Sequence, residues 1–452
     1  MKSMLTISQK LTSVLKRSHL AFMTSLSMVF CHTAMAVEDA PSTALQSDYI
    51  PAKLLLLDES DLAKTKAKFQ NGDASVKEAL DRIITAADKA LKEKYYSVTS
   101  NPEIPASKNP HDYFSVGPYW WPDKNKKNGL PWIRKDGETN PTFRGPSADN
   151  KMFQRLVTAT HVLSLAYYFT EEEKYARKAS RFISHWFLEP DTKMNPHLNF
   201  AQSIPGRVAG RGIGIIEIRN LNRILDASVL IQPYTDLAFE EQFAEWNTIF
   251  LGWLLESANG QDEAKARNNH GTFYDSIVIG LALHLGFKDI AAQVTSLTKQ
   301  RISSQINKDG KQPHELKRTR PYNYTAFNLV GMTSNARMAE HLNIDLWQQP
   351  NNSDQRIMKA LDFAIENLSN EKCWPGKQEK KIEYYKLVSP ALFIYKAYQD
   401  DSEVSSRIDS FLKVLAKKSP QAEQQLALCA VLFDYPFTLA PSNDAKFRSC
   451  TY

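Results

Sequence analysis

An amide and an imidazole stand side by side where a polar stretch meets an apolar helical pattern, at Asn269 and His270. Asparagine is favoured at helix starts, so Asn268 and Asn269 also fit a purely structural capping role. In the functional interpretation, both side chains donate at a helix N-terminus, where the helix dipole adds to the attraction for an anion. The segment is therefore a candidate site for a bound carboxylate.

Cations and tyrosines cluster before the next helical pattern, at Lys317, Arg318, Arg320, Tyr322 and Tyr324. A run of charges is usually a solvated surface. Positive charge beside a phenol also stabilises the phenolate, which lowers the pKa of the hydroxyl. A tyrosine in this cluster, Tyr322 or Tyr324, can therefore lose its proton at a lower pH than a free phenol.

Two further segments have residues suited to sugar binding. Trp120 and Trp121 are adjacent in an irregular stretch, and exposed tryptophans fit the apolar face of a sugar ring as well as they fit packing over a helix end. Asn199 and Gln202 are three residues apart and share a face if that turn is helical. Capping roles explain these amides equally well.

Apolar residues recur at helical spacing through most of the chain, as at Tyr175, Ala179, Phe182 and Trp186. Glycine is scarce, and no clear alternation of strand type is present. The predicted helical stretches are residues 76–94, 153–163, 175–186, 213–231, 238–257, 272–285, 289–304, 325–342, 355–368, 384–398, 403–416 and 420–431.

Such a succession of helical hairpins closes into a solenoid or a toroid. No fixed-period repeat is found, which disfavours the solenoid. The sequence therefore predicts an all-α fold, an incomplete α/α toroid whose long loops line a central cleft. Residues 101–148 and 189–212 are too long and irregular for ordinary connections, and sites are usually built on such segments.

Residues 1–36 have the features of a cleavable signal peptide. Basic residues precede a short apolar run from Leu20 to Cys31, and Ala34 to Ala36 form a small-x-small cleavage signature. The apolar run is too short to span a bilayer. We expect cleavage after Ala36, a periplasmic or secreted protein, and one catalytic domain over residues 37–452.

Composition excludes several classes of function. The full chain has 56 basic and 50 acidic residues, and removal of four basic residues with the leader leaves 52 against 50, a net charge of +2. That balance disfavours nucleic-acid binding, so an anionic partner needs a local cluster of cations. No phosphate-binding loop, hydrolase elbow or metal-ligand set is present, and we expect no cofactor and no metal ion.

Three cysteines follow the leader, at Cys373, Cys429 and Cys450. In an oxidising compartment one pair can form a disulfide. Cys429 and Cys450 are nearest in sequence and are the expected pair.

Taken together, four segments resemble the alginate lyase domain of helical-toroid polysaccharide lyases, with the closest similarity to polysaccharide lyase family 38. The resemblance spans about residues 108–330. It is carried, in order, by His111 to Tyr113, Gly117 to Pro122, Asn195 to Gln202 and Asn268 to Thr272.

The resemblance implies cleavage of 4-linked uronate polymers by β-elimination without a metal ion. An asparagine–histidine pair neutralises the carboxylate at C5, and a tyrosine removes the C5 proton and returns one to O4. The residues that match these catalytic roles are His270 with Asn269 or Asn199, and Arg318 with Tyr324, with Arg320 and Tyr322 as neighbouring alternatives. The residues expected to bind the polymer are His111, Tyr113, Tyr119, Trp120, Trp121, Gln202, Arg211, Arg320 and Tyr322.

Mannuronate-rich alginate is the expected substrate, with glucuronan second, because these sugars have the same configuration at C4 and C5. A glycoside hydrolase is one alternative and requires two carboxylates that flank the cleaved bond. Asp112, Asp275 and Glu315 are the candidates for that pair. The other alternative is a periplasmic binding protein for acidic oligosaccharides. No membrane partner is expected, and the oligomeric state stays open.

Overall fold

The computed structural model describes residues 53–135, 138–348, 354–368, 374–376, 378–437 and residue 450. Lys53–Tyr452 cluster as one compact unit. The predicted signal peptide and Cys373 lie outside the described residues. Cys429 and Cys450 form a disulfide, which confirms the expected pair.

Fifteen α-helices account for most of the described residues. In chain order they are α1 Glu59–Gln70, α2 Ala74–Leu91, α3 Asp149–Thr170, α4 Glu173–Phe187, α5 Leu221–Ile231, α6 Leu237–Glu256, α7 Ala258–Ala264, α8 Asn269–His284, α9 Lys288–Gln305, α10 Pro313–Leu316, α11 Pro321–Glu340, α12 Arg356–Leu368, α13 Val388–Ala397, α14 Ser402–Lys418 and α15 Pro420–Ala430. In this part of the chain, no helix has the length and apolar character needed to cross a membrane.

Helical periodicity located most of the long helices, but no helix was predicted where α1 lies, and the predicted helix over 213–231 is only partly regular. A 3-10 helix covers Gly212–Ile218, and α5 begins only at Leu221. A 3-10 helix also precedes α13, at Tyr384–Leu387. Both 3-10 segments contribute residues to the cleft described below, whereas the α-helices that follow them, α5 and α13, do not line it.

Four short strands lie in the two irregular segments, where no strand was predicted. Strand β1 (Phe114–Val116) pairs in parallel with β4 (Phe200–Ser203). Strand β2 (Trp120–Trp121) pairs antiparallel with β3 (Ile133–Arg134). Strands this short carry no readable alternation, and their pairing depends on segments far apart in the chain.

Helices α5, α8 and α11 form the inner layer of the toroid. Helix α8 packs against both α5 and α11, and it is buried along almost its whole length. Helix α9 contacts α8 from outside and keeps one face exposed. An apolar helix without a polar stripe is expected to be enclosed by its neighbours, which explains why α8 lies inside. The fold is the predicted incomplete α/α toroid.

Small residues allow the inner helices to approach closely. A Cβ on Gly280 of α8 would lie 2.1 Å from Oδ1 of Asn222 in α5. The amide of Asn222 is held there because its Nδ2 donates to the carbonyl oxygen of Ser276, at 2.9 Å. The contact fixes α8 against α5, and with it the direction in which the N-terminus of α8 points.

A second close approach fixes α7 against the end of α6. A Cβ on Gly260 would lie 1.9 Å from the carbonyl oxygen of Leu254. The same oxygen accepts a hydrogen bond from the hydroxyl of Tyr274 in α8, at 2.8 Å. Helices α6, α7 and α8 are therefore joined at one carbonyl group.

Gly260→Ala is expected to destabilise the protein by about 1–3 kcal/mol, because the added methyl group overlaps backbone atoms that cannot move freely. Thermal and urea unfolding followed by circular dichroism measure the change. Gly145→Ala is the control, because its Cβ would have its nearest neighbour at 3.7 Å and its φ of −57° suits alanine. Equal stability of the two variants would contradict this account of the packing.

Candidate active site

The N-termini of α8 and α11 open into a cleft of about 630 Å³. The 3-10 helix before α5 lines the same cleft, through Ile213 and Ile216. Every charged side chain that lines the cleft within the described residues is a cation. These cations are Arg134, Arg211, Arg219, Arg318, Arg320 and Lys386. The cleft therefore attracts anions, although the whole chain is close to neutral.

Helix α8 begins with a capped turn that presents the amide–imidazole pair. The side chain of Asn268 accepts from the backbone N–H of His270, at 3.2 Å. The side chain of Asn269 is buried, and its Nδ2 donates to Oε2 of Glu315 at 2.7 Å. The backbone N–H of Asn269 donates to the other oxygen of Glu315, at 2.9 Å. Glu315 thus fixes the first residue of α8.

The imidazole of His270 is fixed by a different carboxylate. Its Nδ1 lies 2.7 Å from Oε1 of Glu263, which is almost fully buried in α7. His270 itself keeps about a fifth of its side-chain surface exposed and lines the cleft. With Nδ1 engaged behind it, Nε2 is the ring nitrogen left for a ligand.

The first turn of α11 places Tyr324 in the cleft beside Arg318. The Nη2 of Arg318 donates to the hydroxyl of Tyr324 at 2.9 Å, and the guanidinium carbon lies 3.9 Å from the ring centroid. The hydroxyl of Tyr119 also contacts that of Tyr324. Pro321 suits the start of this helix, because its fixed φ and missing N–H cost nothing at the first helical position.

Burial raises the pKa of Tyr324, and this effect outweighs the lowering by the charges of Arg318 and Arg320. The sequence-based expectation of a lowered pKa is therefore wrong in sign for the free protein. The cations are present, but the half-buried site removes water that would otherwise solvate the phenolate. Tyr324 keeps its proton at neutral pH in the absence of a ligand.

One wall of the cleft is formed by the end of β4 and the residues after it. Gln202 has a φ of +49°, in the left-handed region that is strained for a side chain with a Cβ. Its backbone N–H donates to Oγ of Ser115, at 2.8 Å. Arg211 donates through Nε to its carbonyl oxygen, at 2.8 Å, and through Nη2 to its Oε1, at 3.1 Å. These contacts hold the strained residue with its amide at the cleft.

A buried glutamate supports this wall from behind. Glu217 accepts from the hydroxyl of Tyr113 at 2.8 Å. Burial raises the pKa of Glu217 to about 7, although hydrogen bonds with Ser115, Tyr113 and Gln202 lower it. Tyr113 is fully buried, so its role is to hold the wall in place and not to touch a ligand.

Trp120 lies on β2 and also lines the cleft, close to Arg211, because a Cβ on Gly117 would lie 2.6 Å from Cδ1 of Trp120 and 2.7 Å from Nη2 of Arg211. The guanidinium of Arg207 stacks over its ring, 5.3 Å from the centroid. Trp121 follows on the same short strand and therefore points the other way. Its Nε1 donates to the carbonyl oxygen of Glu138 at 3.0 Å, and the ammonium of Lys135 lies over its ring.

The structure brings together most of the predicted site residues. Those that line the cleft are Tyr119, Trp120, Gln202, Arg211, Asn269, His270, Arg318, Arg320 and Tyr324. The predicted residues that do not line it are His111, Tyr113, Trp121, Asn199 and Tyr322.

Each excluded residue has a structural reason for its position. Asn199 is exposed outside the cleft and accepts from Nε1 of Trp253 at 2.9 Å, because the turn predicted to be helical forms β4. The Nδ1 of His111 lies 2.7 Å from the carbonyl oxygen of Lys193. Asn269 is therefore the asparagine that stands beside His270 in the cleft.

Tyr322 lies in the core. It is fully buried, and its ring meets Trp374 edge-on, with centroids 5.1 Å apart. Burial raises the pKa of its hydroxyl well above the usual value. Two residues along a helix turn the side chain by about 200°. Tyr322 and Tyr324 therefore point in nearly opposite directions, and only Tyr324 reaches the cleft.

Sequence reasoning missed several residues of the site. Arg134, Arg219, Asn323, Phe327 and Lys386 line the cleft. Asn323 and Phe327 follow the helical spacing of α11 and could have been found from it. Arg134 lies in the irregular segment 101–148, where a site was expected, but no local pattern singles out that residue or Lys386, and the tertiary fold brings both to the cleft.

Comparison with known proteins gives one matching family model and a number of similar solved structures. The model of the family described as alginate lyase matches residues 97–374. A crystal structure of an alginate lyase from Bacteroides ovatus is 33% identical, with a TM-score of 0.75, and the alignment covers 84% of this chain and 99% of that one. No curated protein sequence matches the chain.

Two more distant structures share the fold. A histidine-to-alanine variant of alginate lyase A1-III complexed with tetrasaccharide is 16% identical, with a TM-score of 0.52, covering 76% of this chain and 88% of that one. A tyrosine-to-phenylalanine variant, also with tetrasaccharide, is 17% identical, with a TM-score of 0.51, covering 75% and 86%.

Arg318→Ala is expected to raise the pKa of Tyr324 further. Burial already raises this pKa, Arg318 lowers it, and removal of the cation leaves burial unopposed except by Arg320. Titration of ¹³C-labelled tyrosine by NMR, assigned with Tyr324→Phe, measures the shift. Lys317→Ala is the matched control, because Lys317 is exposed and does not line the cleft. An unchanged or lowered pKa in Arg318→Ala would refute the electrostatic assignment.

Proposed function

The chain belongs to the alginate lyase family and is a polysaccharide lyase, and from this premise we propose that it cleaves 4-linked uronate polymers by metal-independent β-elimination. The observation that carries the proposal is the contact of Arg318 with the hydroxyl of Tyr324, in a cleft whose charged lining residues, among those that the structure describes, are all cations. That arrangement suits a polymer with one carboxylate per sugar.

The chemical difficulty of β-elimination is the proton at C5. Its removal places a second negative charge beside the carboxylate, so the C–H group is a poor acid. Donors aimed at the carboxylate spread this charge in the transition state and lower the barrier. Asn269, His270 and Arg318 are the donors that line the cleft and suit this role.

Tyr324 is the proposed base and acid. When ionised, a phenol of raised pKa is a strong base, and Arg318 at 2.9 Å stabilises the phenolate as it forms. After the C5 proton is taken, the same hydroxyl can protonate O4 as the C4–O4 bond breaks. Transfer by one positioned group requires both atoms on one face of the sugar, which is syn elimination. Positioned acid–base groups contribute about 10²–10⁴-fold to the rate.

A hydrolytic mechanism fits the site less well. Asp112 bonds Asn195 and Ser107, Asp275 bonds Arg301, and Glu315 bonds Asn269. All three carboxylates are buried, and none of them lines the cleft. A flanking pair of carboxylates, which hydrolysis requires, is not formed by the described residues.

The proposed substrate is mannuronate-rich alginate, with glucuronan second. The cations of the cleft support a polyanion, and the similar structures of alginate lyase A1-III are complexed with tetrasaccharide. Mannuronate and glucuronate present the same C4 and C5 configuration to Tyr324. Guluronate has the opposite configuration at C5 and needs a base on its other face.

We further propose that the chain is exported. The leader sequence and the small-x-small signature before Val37 support removal of residues 1–36. The disulfide between Cys429 and Cys450 is typical of an oxidising compartment. A periplasmic or secreted location also suits a polymeric substrate.

Incubation with a panel of uronans tests the proposed reaction. Absorbance near 235 nm is expected to rise with polymannuronate and glucuronan, because only β-elimination makes an unsaturated uronate, and to stay low with polyguluronate. The rise is expected to persist in EDTA. Reducing ends without absorbance would indicate hydrolysis, and activity lost to EDTA and restored by one divalent ion would overturn the metal-independent mechanism.

Tyr324→Phe is expected to lower kcat by at least about 10³-fold, because the proton-transfer group is removed while the ring remains. Tyr322→Phe is the matched control and should retain activity, since that hydroxyl lies in the core. Initial rates at 235 nm, with circular dichroism to verify the fold, measure both variants. If Tyr322→Phe is inactive and Tyr324→Phe is not, the assignment of the base is wrong.

A further inference from the structure

Two buried glutamates stand directly behind the amide–imidazole pair. Glu263 of α7 contacts Nδ1 of His270, and Glu315 of α10 accepts from both nitrogens of Asn269. Each glutamate is about 1% exposed and neither lines the cleft. They come from different helices and meet neighbouring residues of α8.

We propose that Glu263 and Glu315 are positioning residues that make the pair act only as hydrogen-bond donors towards the carboxylate of the substrate. The inference rests on the proposed function for the identity of that carboxylate. It extends that function to two residues that do not reach the substrate.

The chemistry of Glu263 sets the proton on His270. An ionised carboxylate only accepts hydrogen bonds, so the ring nitrogen that faces it must carry a hydrogen. A neutral ring protonated at Nδ1 has a lone pair on Nε2, which would repel a substrate carboxylate. When that carboxylate binds, Nε2 takes a proton from solvent, and the imidazolium then donates through Nδ1 to Glu263 and through Nε2 to the substrate.

The buried position of Glu263 makes this bridge favourable. Its Oε2 is buried and has no hydrogen-bond partner among the described residues. A buried carboxylate is costly without a compensating charge. His270 is the group that bonds it, while Asp262 and Arg301 act on it with opposite signs from a greater distance. On the other side, Glu315 faces both His270 and Arg318.

Glu315 orients the amide of Asn269 by the same rule. Its oxygens can only accept when ionised, so the end of the amide that faces Glu315 must be the nitrogen. One hydrogen of Nδ2 is used in that bond, and the second is left as the donor for a ligand. Protonation of Glu315, or the substitution Glu315→Gln, would give residue 315 a hydrogen to donate. The amide of Asn269 could then turn over so that its oxygen faces residue 315.

NMR of the imidazole nitrogens tests the inference without any substrate. In the wild type at pH 8, the ¹⁵N shifts of His270 are expected to show a hydrogen on Nδ1. In Glu263→Leu that hydrogen is expected to move to Nε2, whereas Glu263→Gln should keep it, because an amide oxygen can still accept. An unprotonated Nδ1 in the wild type would overturn the proposal.

Kinetics separate a positioning role from a structural one. Glu263→Gln is expected to lower kcat/KM by about 10- to 100-fold, because the amide keeps the hydrogen bond to Nδ1 but loses the negative charge that stabilises the doubly protonated ring. Groups that support a metal-bound histidine from behind contribute on the same scale. Glu189→Gln is the matched control, because Glu189 also bonds a histidine Nδ1, that of His185 at 2.8 Å, away from the cleft. It should leave kcat/KM unchanged.

The outcomes also distinguish this inference from the proposed function. If the wild type produces no absorbance at 235 nm on any uronan, the proposed function is wrong. The ¹⁵N spectrum still shows in that case which ring nitrogen of His270 carries the proton. If the wild type is active and folded Glu263→Gln has full activity, the positioning role fails and the function stands.

Discussion

The contact between Glu315 and Asn269 joins the two halves of the site. Glu315 accepts from the backbone and the side chain of Asn269 at the start of α8. Its own carbonyl oxygen accepts from the N–H of Arg318, at 3.1 Å, so the turn that carries Arg318 is fixed to the same point. One residue, Glu315, therefore contacts both the start of α8, through its carboxylate, and the turn that carries Arg318, through its backbone. Arg318 in turn donates to the hydroxyl of Tyr324 on α11. A carboxylate in that position also satisfies an N–H that the start of a helix otherwise leaves without a partner.

Long helices were predictable because the spacing of their apolar residues is visible within a short stretch of sequence. The stripe from Tyr175 to Trp186 predicts α4 without knowledge of what covers it. The pairing of β1 with β4 was not predictable, since segments more than eighty residues apart determine it. For that reason Asn199 and Gln202 were expected to share one face of a helical turn. In the structure, β4 instead puts Gln202 in the cleft and leaves Asn199 outside it.

The site was predictable at His270, because there a side chain that can bind a carboxylate occurs at the predicted start of a helix. The choice between Tyr322 and Tyr324 required knowing which face of α11 borders the cleft. Helical periodicity places the two side chains on different faces, but it does not show which of those faces is the one at the cleft. The pKa of Tyr324 was misjudged because neighbouring cations are visible in a sequence and desolvation is not. Lys386 lines the cleft from a segment more than sixty residues after Tyr324 in the chain, so its position there depends on the tertiary fold.

The parallel pairing of β1 with β4 has a consequence for how the protein loses its shape. Helices α3 and α4 lie between these strands in the sequence, so closing the pair brings together segments more than eighty residues apart, at a cost in chain entropy. Few backbone bonds hold it, among them the N–H of Gly117 to the carbonyl oxygen of Ser203. Such short, non-local units open at lower free energy than a buried helix such as α8. We therefore expect the wall with Gln202 to open on heating before the helical signal is lost, and a melting curve from helicity then overstates the temperature at which a polymer can still be held.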